Sequence, residues 1–193
     1  RAQAMMLRYA YDFVVASENK SEAEKFLSDL KSRLDKFGLT LSEEKTKLVR
    51  FSRQDPQRLN GAFDFLGFQY RWEDTRKGNR KVQRRTSPNK RQDSERRLRS
   101  WLKKYRHVPV RMLLKRLSRK LLGYWNYYGV SGNMADLRKF WREVCRALRK
   151  WLNRRSQRKS ISWSKLNNLL AYHAVPGPRI TDSKQRMMWL PSR

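Results

Sequence analysis

The chain has 193 residues, 38% of them hydrophobic, and its 47 basic and 17 acidic residues give it a formal net charge of +30. The single cysteine, Cys145, excludes a disulfide framework and a zinc site built on cysteines, and no apolar run approaches the roughly 20 residues that a membrane-spanning helix needs. The composition therefore predicts a soluble protein of one or two small domains, from a reducing compartment, whose partner is a polyanion and most simply nucleic acid.

The positive charge is concentrated in the middle of the chain. Residues 1–75 carry 13 basic and 12 acidic side chains, residues 76–159 carry 29 and 4, and residues 160–193 carry 5 and 1. Four acidic side chains cannot balance 29 basic ones, and the resulting self-repulsion opposes folding unless phosphate neutralises it. We therefore predict four regions, a near-neutral one at 1–75, a basic linker at 76–90, a helical one at 91–175 and a C-terminal tail at 176–193.

The near-neutral region is predicted to begin with a hairpin and a helix. Short apolar runs at 5–9 and 13–16 are typical of a hairpin with a tight turn, although runs this short also fit a helix. Ser21, with Glu24 three residues later, predicts a capping box, and apolar residues follow at helical spacing. Gly38 is expected to end this helix in the left-handed conformation.

Two further segments of this region are rich in residues that favour strands. They predict strands at 47–51 and 63–72, onto which Val82 is expected to pair back. A hairpin, a helix and then more strands are typical of an α+β fold with an antiparallel sheet.

The basic region is predicted to form a small helical bundle. Pro88 and Pro109 stand where proline is favoured, at the start of two helices, and Gly129 closes the second of them. A third helix follows, and a shorter one is predicted at 163–172, before Pro-Gly-Pro at 176–178 ends regular structure. The apolar stripes of the three long helices are Leu98, Trp101, Leu102 and Tyr105; Val110, Leu113, Leu114, Leu117, Leu121, Tyr124, Trp125 and Tyr128; and Leu137, Phe140, Trp141, Val144, Leu148, Trp151 and Leu152.

The helix faces opposite these stripes carry arginine and lysine, which predicts a nucleic-acid-binding surface. For a single helix such a face is usually solvated surface, but several helices with almost no acidic residues favour phosphate binding. Tyr127 lies off its stripe and is a candidate for stacking on bases, whereas Trp125 and Tyr128 lie on the stripe and are expected in the core. The predicted nucleic-acid-binding residues are Lys45, Arg96, Arg97, Lys103, Lys104, Arg116, Arg119, Lys120, Tyr127, Arg138, Arg142, Arg146, Arg149, Arg154, Arg155, Arg158 and Lys159.

The cysteine and the two histidines do not predict a catalytic site. Cys145 lies beside an apolar stripe and is expected to act as a small hydrophobic side chain rather than as a nucleophile. His107 and His173 flank helix ends and are far apart in the sequence, so neither is assigned a catalytic or metal-binding role.

Several blocks of the chain resemble, in the same order, those of one protein family. They are Tyr-Ala-Tyr-Asp at 9–12, Gly-Leu-Thr-Leu-Ser-Glu-Glu-Lys-Thr at 38–46, Phe-Leu-Gly-Phe at 65–68, and further blocks at 122–128, 151–159 and 176–180. In this order they resemble the palm, thumb and maturase (X) domain of bacterial group II intron-encoded reverse transcriptases. The resemblance implies a truncated antiparallel palm at 1–75 and an α-helical thumb and maturase X domain at 91–175.

The resemblance implies that the chain is encoded by a mobile element, the group II intron, and has two activities. These are reverse transcription and help in folding the host intron RNA for splicing. The implied partners are RNA, either a group II intron or a template–primer duplex, and a DNA target. The implied location is the bacterial cytoplasm, in association with the nucleoid or a ribonucleoprotein. RNA binding is expected to need no cofactor, whereas polymerisation in this family implies Mg²⁺.

The resemblance also marks where the polymerase site departs from the family pattern. The family motif is Tyr-x-Asp-Asp in a hairpin turn, and Tyr11 here replaces the first Asp, which leaves Asp12 as the remaining catalytic and metal-binding candidate. A phenol with a pKa of about 10 is neutral at pH 7 and is a poor ligand for Mg²⁺. The fingers, and the palm strand that bears the other metal-binding Asp, are also expected to fall outside this sequence.

Three functions follow from these observations. The first is an RNA-binding fragment that aids splicing and does not polymerise alone, and its alternative is one part of an active RNA-directed DNA polymerase whose other parts lie elsewhere. A basic structural protein of a ribonucleoprotein, of ribosomal type, explains the charge but not the blocks at 9–12 and 65–68. Asp12 also has a structural interpretation, because a turn aspartate often hydrogen-bonds backbone.

Overall fold

A computed structural model describes residues 4–54, 61–74, 78–155 and 160–182. They form a mixture of helix and sheet, in agreement with the α+β class, and the chain divides into two compact units, Arg1–Gln83 and Arg84–Arg193. The elements in chain order are β1 (Met5–Tyr9), β2 (Asp12–Ala16), α1 (Lys20–Asp35), β3 (Phe63–Phe65), β4 (Phe68–Asp74), β5 (Arg80–Thr86), α2 (Pro88–Lys104), α3 (Val110–Tyr128), α4 (Met134–Asn153) and α5 (Trp163–Tyr172).

The first hairpin is confirmed. Strands β1 and β2 pair antiparallel from Met5 opposite Ala16 to Tyr9 opposite Asp12, so the turn consists of Ala10 and Tyr11 alone. Ala10 has a φ of +51° in this turn, in the left-handed region that an alanine seldom adopts. The backbone therefore presents Tyr11 at the tip and makes Asp12 the first residue of β2.

Helix α1 begins earlier than its predicted capping box. Its N-cap is Asn19, without a side-chain cap, so Ser21 lies inside the first turn and the capping box at Ser21 and Glu24 is wrong. The Ser17 hydroxyl instead donates to a Glu22 carboxylate oxygen at 3.1 Å, across the start of the helix. The predicted end is confirmed, because Gly38 has a φ of +65° and lets the following N–H bond back to the last turn at 3.0 Å.

The strands after α1 differ from their predictions. Residues 47–51 form no strand, and the Phe51 ring packs against the Phe63 and Trp72 rings at centroid distances of 5.1 and 5.7 Å. The strand predicted at 63–72 is a hairpin of β3 and β4, because Leu66 and Gly67 both take positive φ angles. The expected return of the chain around Val82 is confirmed as β5, in a three-stranded sheet of order β3-β4-β5.

The range 76–90, predicted to be a linker, contains regular structure. Strand β5 occupies residues 80–86, and Pro88 begins α2, as its position in the sequence indicated. The basic residues of this range that the structure describes therefore lie on a strand, as Arg80, Lys81, Arg84 and Arg85 do, or at a helix start, as Lys90 does.

The predicted helices of the basic region are all confirmed. Gly129 is the C-cap of α3, α5 has the predicted bounds, and no helix or strand follows it in the described residues up to Asp182. The apolar stripes meet in one core, whose largest fully buried side chains include Trp125, Leu114 and Leu137. None of the helices in the described ranges is long and apolar enough to cross a membrane.

The directions of α2, α3 and α4 follow from three contacts. Asn133, just before α4, hydrogen-bonds Thr86, just before α2, and Glu143 further along α4 pairs with Arg99 further along α2, so these helices run in the same direction. Helix α3 runs opposite to α2, because Lys120 lies over the Trp101 ring, whereas Arg116, earlier in α3, lies over the Tyr105 ring at the end of α2. The C-termini of α2 and α4 therefore lie at the same end of the bundle as the N-terminus of α3.

Residues 176–182 pack on the end of α3, although they belong to the range predicted as a tail. The Trp125 indole N–H donates to the Pro176 carbonyl at 2.9 Å, and the N–H groups of Thr181 and Asp182 donate to the Gly129 carbonyl at 2.7 and 3.0 Å. We call residues 176–182 the C-terminal strap. The strap fits closely because Gly129 has no side chain, since a Cβ there would lie 2.7 Å from the Arg179 carbonyl oxygen.

Candidate nucleic-acid interface

We call the second compact unit, Arg84–Arg193, the helical unit. Its acidic residues are unevenly placed, and each has a basic partner. None lies between residues 96 and 135 or between 144 and 181, so all of them belong to the first part of α2, the first half of α4 or the C-terminal strap. Each of the five carboxylates pairs with at least one cation: Asp93 with Arg96 at 3.4 Å, Glu95 with Arg91 at 2.6 Å, Asp136 with Lys139 at 3.1 Å, Glu143 with Arg99 at 3.0 Å and Asp182 with Arg84 at 2.9 Å.

The opposite end of the bundle carries basic residues without such partners. It consists of the end of α2, the loop to α3, the start of α3 and the end of α4. Within the described part of the chain, none of its basic side chains forms an ion pair with a carboxylate. We call this surface the basic end and define it by Lys103, Lys104, Arg106, Arg116, Lys150, Arg154 and Arg155.

Two contacts join the parts of the basic end that are distant in the sequence. The Arg155 guanidinium donates to the Val108 carbonyl at 2.8 Å, and the Arg106 guanidinium lies 5.6 Å from the centroid of the Trp151 ring. The loop between α2 and α3 is thus held against the end of α4. This arrangement places two groups of cations, about 45 residues apart in the chain, on one surface.

Several of these cations are held by aromatic rings of the core. Lys104 and Arg116 lie over the Tyr105 ring at 5.7 and 5.4 Å, and Lys150 and Arg154 lie over the Trp151 ring at 5.8 and 5.3 Å. Such contacts stabilise a cation on the ring face while its charged group stays accessible to water. All four of these basic residues are exposed, so their charges remain available at the surface of the bundle.

Most of the residues predicted to bind nucleic acid are exposed. Two of them are engaged by acidic neighbours, since Arg96 pairs with Asp93 at 3.4 Å and Arg146 with Glu143 at 4.0 Å. Arg158 and Lys159 lie outside the described residues. The exposed basic residues of the predicted set are Lys45, Arg96, Arg97, Lys103, Lys104, Arg116, Arg119, Lys120, Arg138, Arg142, Arg146 and Arg154.

Arg149 and Arg155 make their polar contacts inside the fold. Arg149 donates to the Ile161 carbonyl at 3.1 Å and lies 4.8 Å from the centroid of the Trp163 ring, which ties α4 to the start of α5. Burial lowers the pKa of Arg155, whose guanidinium is committed to the Val108 carbonyl. Both side chains therefore position backbone, a role that their place on a basic helix face did not indicate.

Sequence reasoning missed Arg106 and Lys150 as members of the basic end. Arg106 lies in the loop after α2, and its Nε also donates to the His107 ring at 2.9 Å. The loop and the end of α2 line a shallow depression formed by Ser100, Lys103, Lys104, Arg106 and His107. The signal for Arg106 in the sequence was a run of basic residues, Lys103, Lys104 and Arg106, that continues past the end of α2. Only the folded bundle places Arg106 beside the end of α4.

Trp125, Tyr128 and Cys145 lie in or against the core as predicted, and the stacking role of Tyr127 stays a prediction. Trp125 is fully buried and Tyr128 half-buried, whereas Tyr127 is 52% exposed. Burial raises the pKa of Tyr128, which is consistent with its packing role. Burial also raises the pKa of the Cys145 thiol to about 11, so at neutral pH this residue is a protonated, weakly polar side chain.

One carboxylate, that of Asp12, directly follows the turn of the first hairpin. Asp12 is exposed, and its side chain makes no hydrogen bond or ion pair with other described residues, so the backbone contact of a structural turn aspartate is not formed there. Tyr11 beside it is 96% exposed. In the described ranges, no three His, Cys, Asp or Glu side chains come together. A single carboxylate beside a phenol does not fit the shared carboxylates of a two-metal centre.

Comparison with known families assigns both regions of the chain. Residues 1–70 match the family described as reverse transcriptase (RNA-dependent DNA polymerase), and residues 91–169 match the maturase-specific domain of group II introns. A search of curated proteins found no match. The two matches follow one another along most of the chain, in the order that the sequence blocks indicated. The chain therefore belongs to the family of group II intron reverse transcriptases and maturases.

Proposed function

We propose that this chain binds group II intron RNA through its helical unit and assists splicing, and that it does not polymerise DNA alone. The observation that carries the proposal is the distribution of charge in the helical unit. Its five carboxylates are all ion-paired, and the basic end has no carboxylate to neutralise it within the described residues. Phosphate groups of RNA are the natural counter-charge for such a surface.

The proposal assigns a part to each region. Residues 1–75 correspond to the end of a palm, and residues 91–175 to a thumb and maturase X domain that grips RNA. The match of residues 91–169 to the maturase-specific domain supports the second assignment, and the mixed strands and helix of residues 5–74 are compatible with the first. Target DNA is a further partner in this proposal.

RNA binding is expected to depend strongly on salt. In a gel shift with structured group II intron RNA, the logarithm of the affinity should fall linearly with the logarithm of the salt concentration, with a slope of about −0.7 to −0.9 for each phosphate that is neutralised. Duplex DNA of equal length is the matched control. Equal affinity for both nucleic acids at every salt concentration would show that the chain does not distinguish RNA shape, and a flat salt dependence would contradict phosphate binding.

Polymerase activity is expected to be absent from the chain on its own. The reverse transcriptase family generally uses Mg²⁺. Asp12, directly after the hairpin turn, could contribute a carboxylate to it, whereas Tyr11 in the turn supplies none. Primer extension on an RNA template with Mg²⁺ or Mn²⁺ should give no template-dependent product. Product from the purified chain that disappears in the Asp12→Asn variant would refute this expectation.

A second candidate function is one part of an active RNA-directed DNA polymerase. It is favoured by the match of residues 1–70 to reverse transcriptase and by the two-residue turn that presents Tyr11 next to Asp12. Tyr11→Asp, introduced into a longer chain that carries the fingers and the upstream palm strand, separates the two candidates. Activity in the longer parent chain supports the second candidate. Activity that appears only after Tyr11→Asp indicates instead that tyrosine at position 11, in place of the family's aspartate, abolishes polymerisation.

A further inference from the structure

We infer that the basic end is one composite site for the phosphate backbone of base-paired RNA, formed by the segments 103–106 and 150–154. This inference rests on the proposed RNA-binding function and names the part of the surface and the form of RNA that it takes. Basic residues occur on several faces of the bundle, but those beside the carboxylates are partly neutralised within the protein. The basic end retains its full charge.

The two segments form one site because the fold holds them together. Arg155 bonds the loop carbonyl of Val108, and Arg106 covers one side of Trp151 while Lys150 and Arg154 lie over the same ring. An RNA backbone that contacts Arg106 therefore also comes near the end of α4. In this arrangement Arg155 is a positioning residue rather than an RNA contact, because its guanidinium donates to the Val108 carbonyl and its Nε is buried.

The same rings explain why the site suits base-paired RNA. Unpaired bases are usually held by stacking on exposed aromatic faces, whereas RNA duplexes are recognised through backbone and shape. The faces of Tyr105 and Trp151 are covered by cations and by the core, and the 47%-exposed Trp163 has Arg149 over its ring. The basic end thus offers charge for phosphates without a free stacking surface among its described residues.

The test compares pairs of neutral substitutions in the full chain. Lys103→Gln with Lys104→Gln removes charge from one segment, Lys150→Gln with Arg154→Gln removes it from the other, and Lys90→Gln with Arg179→Gln is the control. Lys90, Lys103, Lys104 and Lys150 lie on helices, Arg154 is the C-cap of α4 and Arg179 belongs to the C-terminal strap. All six side chains are exposed, and the control residues lie outside the basic end. Binding to a fluorescent RNA hairpin is measured by anisotropy across a salt series, and circular dichroism confirms that each variant is folded.

Each basic-end pair is expected to weaken hairpin binding about tenfold and to reduce the salt slope by about two, since each lost phosphate contact removes about one. The control pair should change affinity less than threefold, and unpaired RNA of equal length should bind the parent chain more weakly than the hairpin. A loss confined to one segment, or an equal loss in all three pairs, overturns the composite site while the proposed function stands. Equal or tighter binding of unpaired RNA overturns duplex recognition, and no RNA binding by the parent chain overturns both proposals.

Discussion

Replacing Trp125 by alanine is expected to lower the free energy of unfolding of the helical unit by about 3 to 5 kcal/mol, the usual cost of removing a buried tryptophan from a core. The side chain is fully buried, and its ring packs edge-on against Phe140 and Trp141, with centroids 6.0 and 6.4 Å apart. Its indole N–H also holds the C-terminal strap through the Pro176 carbonyl. The substitution therefore creates a cavity and releases the strap in one step.

Urea unfolding followed by circular dichroism measures this effect. Tyr172→Ala is the matched control, because that aromatic side chain is 85% exposed and its loss should change stability by less than about 0.5 kcal/mol. Trp125→Phe retains most of the ring but loses the indole donor, and it should fall between the two. A Trp125→Ala variant within 1 kcal/mol of the parent would mean that the core does not depend on this residue.

Replacing Asn133 by leucine is the second large effect that we expect. Asn133 is fully buried in the turn between α3 and α4, where its side-chain oxygen accepts from the Thr86 N–H at 2.9 Å. Its amide donates to the Thr86 hydroxyl at 2.7 Å and to the Tyr128 carbonyl at 2.8 Å. One side chain thus ties together the start of α2, the end of α3 and the start of α4.

Leucine has a similar volume but satisfies none of these groups. Each buried polar group left without a partner costs about 1 to 3 kcal/mol, so the Asn133→Leu variant should lose roughly 3 kcal/mol or more. Asn126→Leu makes the same chemical change at an exposed position of α3 and is the control. Equal midpoints in urea for the two variants would contradict the bridging role of Asn133.

Both effects identify features that local sequence patterns describe only in part. The stripe on α3 placed Trp125 in the core, because apolar periodicity reports which face of a helix is buried. It did not predict the strap, whose contacts join residues about 50 positions apart. Asn133 belongs to none of the predicted apolar stripes, and its buried contact with Thr86 across 47 positions depends on how the helices pack.

Apart from the start of α1, the helix ends were predictable because they are encoded locally. Proline at 88 and 109 fixes the backbone φ at a helix start, and glycine at 38 tolerates the left-handed φ at a helix end. The short strands were less predictable, since a strand forms only where a partner strand lies beside it. This is why residues 47–51 form no strand and why the run at 63–72 divides at Leu66 and Gly67.

The sequence by itself determined the family, the helical character of the basic region and the excess of positive charge, because these depend on residue types and their spacing. The tertiary structure alone decided which cations face solvent. It turned Arg149 and Arg155 inward, paired the carboxylates at one end and brought Arg106 beside Lys150 and Arg154 at the other. The physical reason is that charge is counted residue by residue, whereas an ion pair or a binding surface exists only when packing brings distant side chains within a few ångströms.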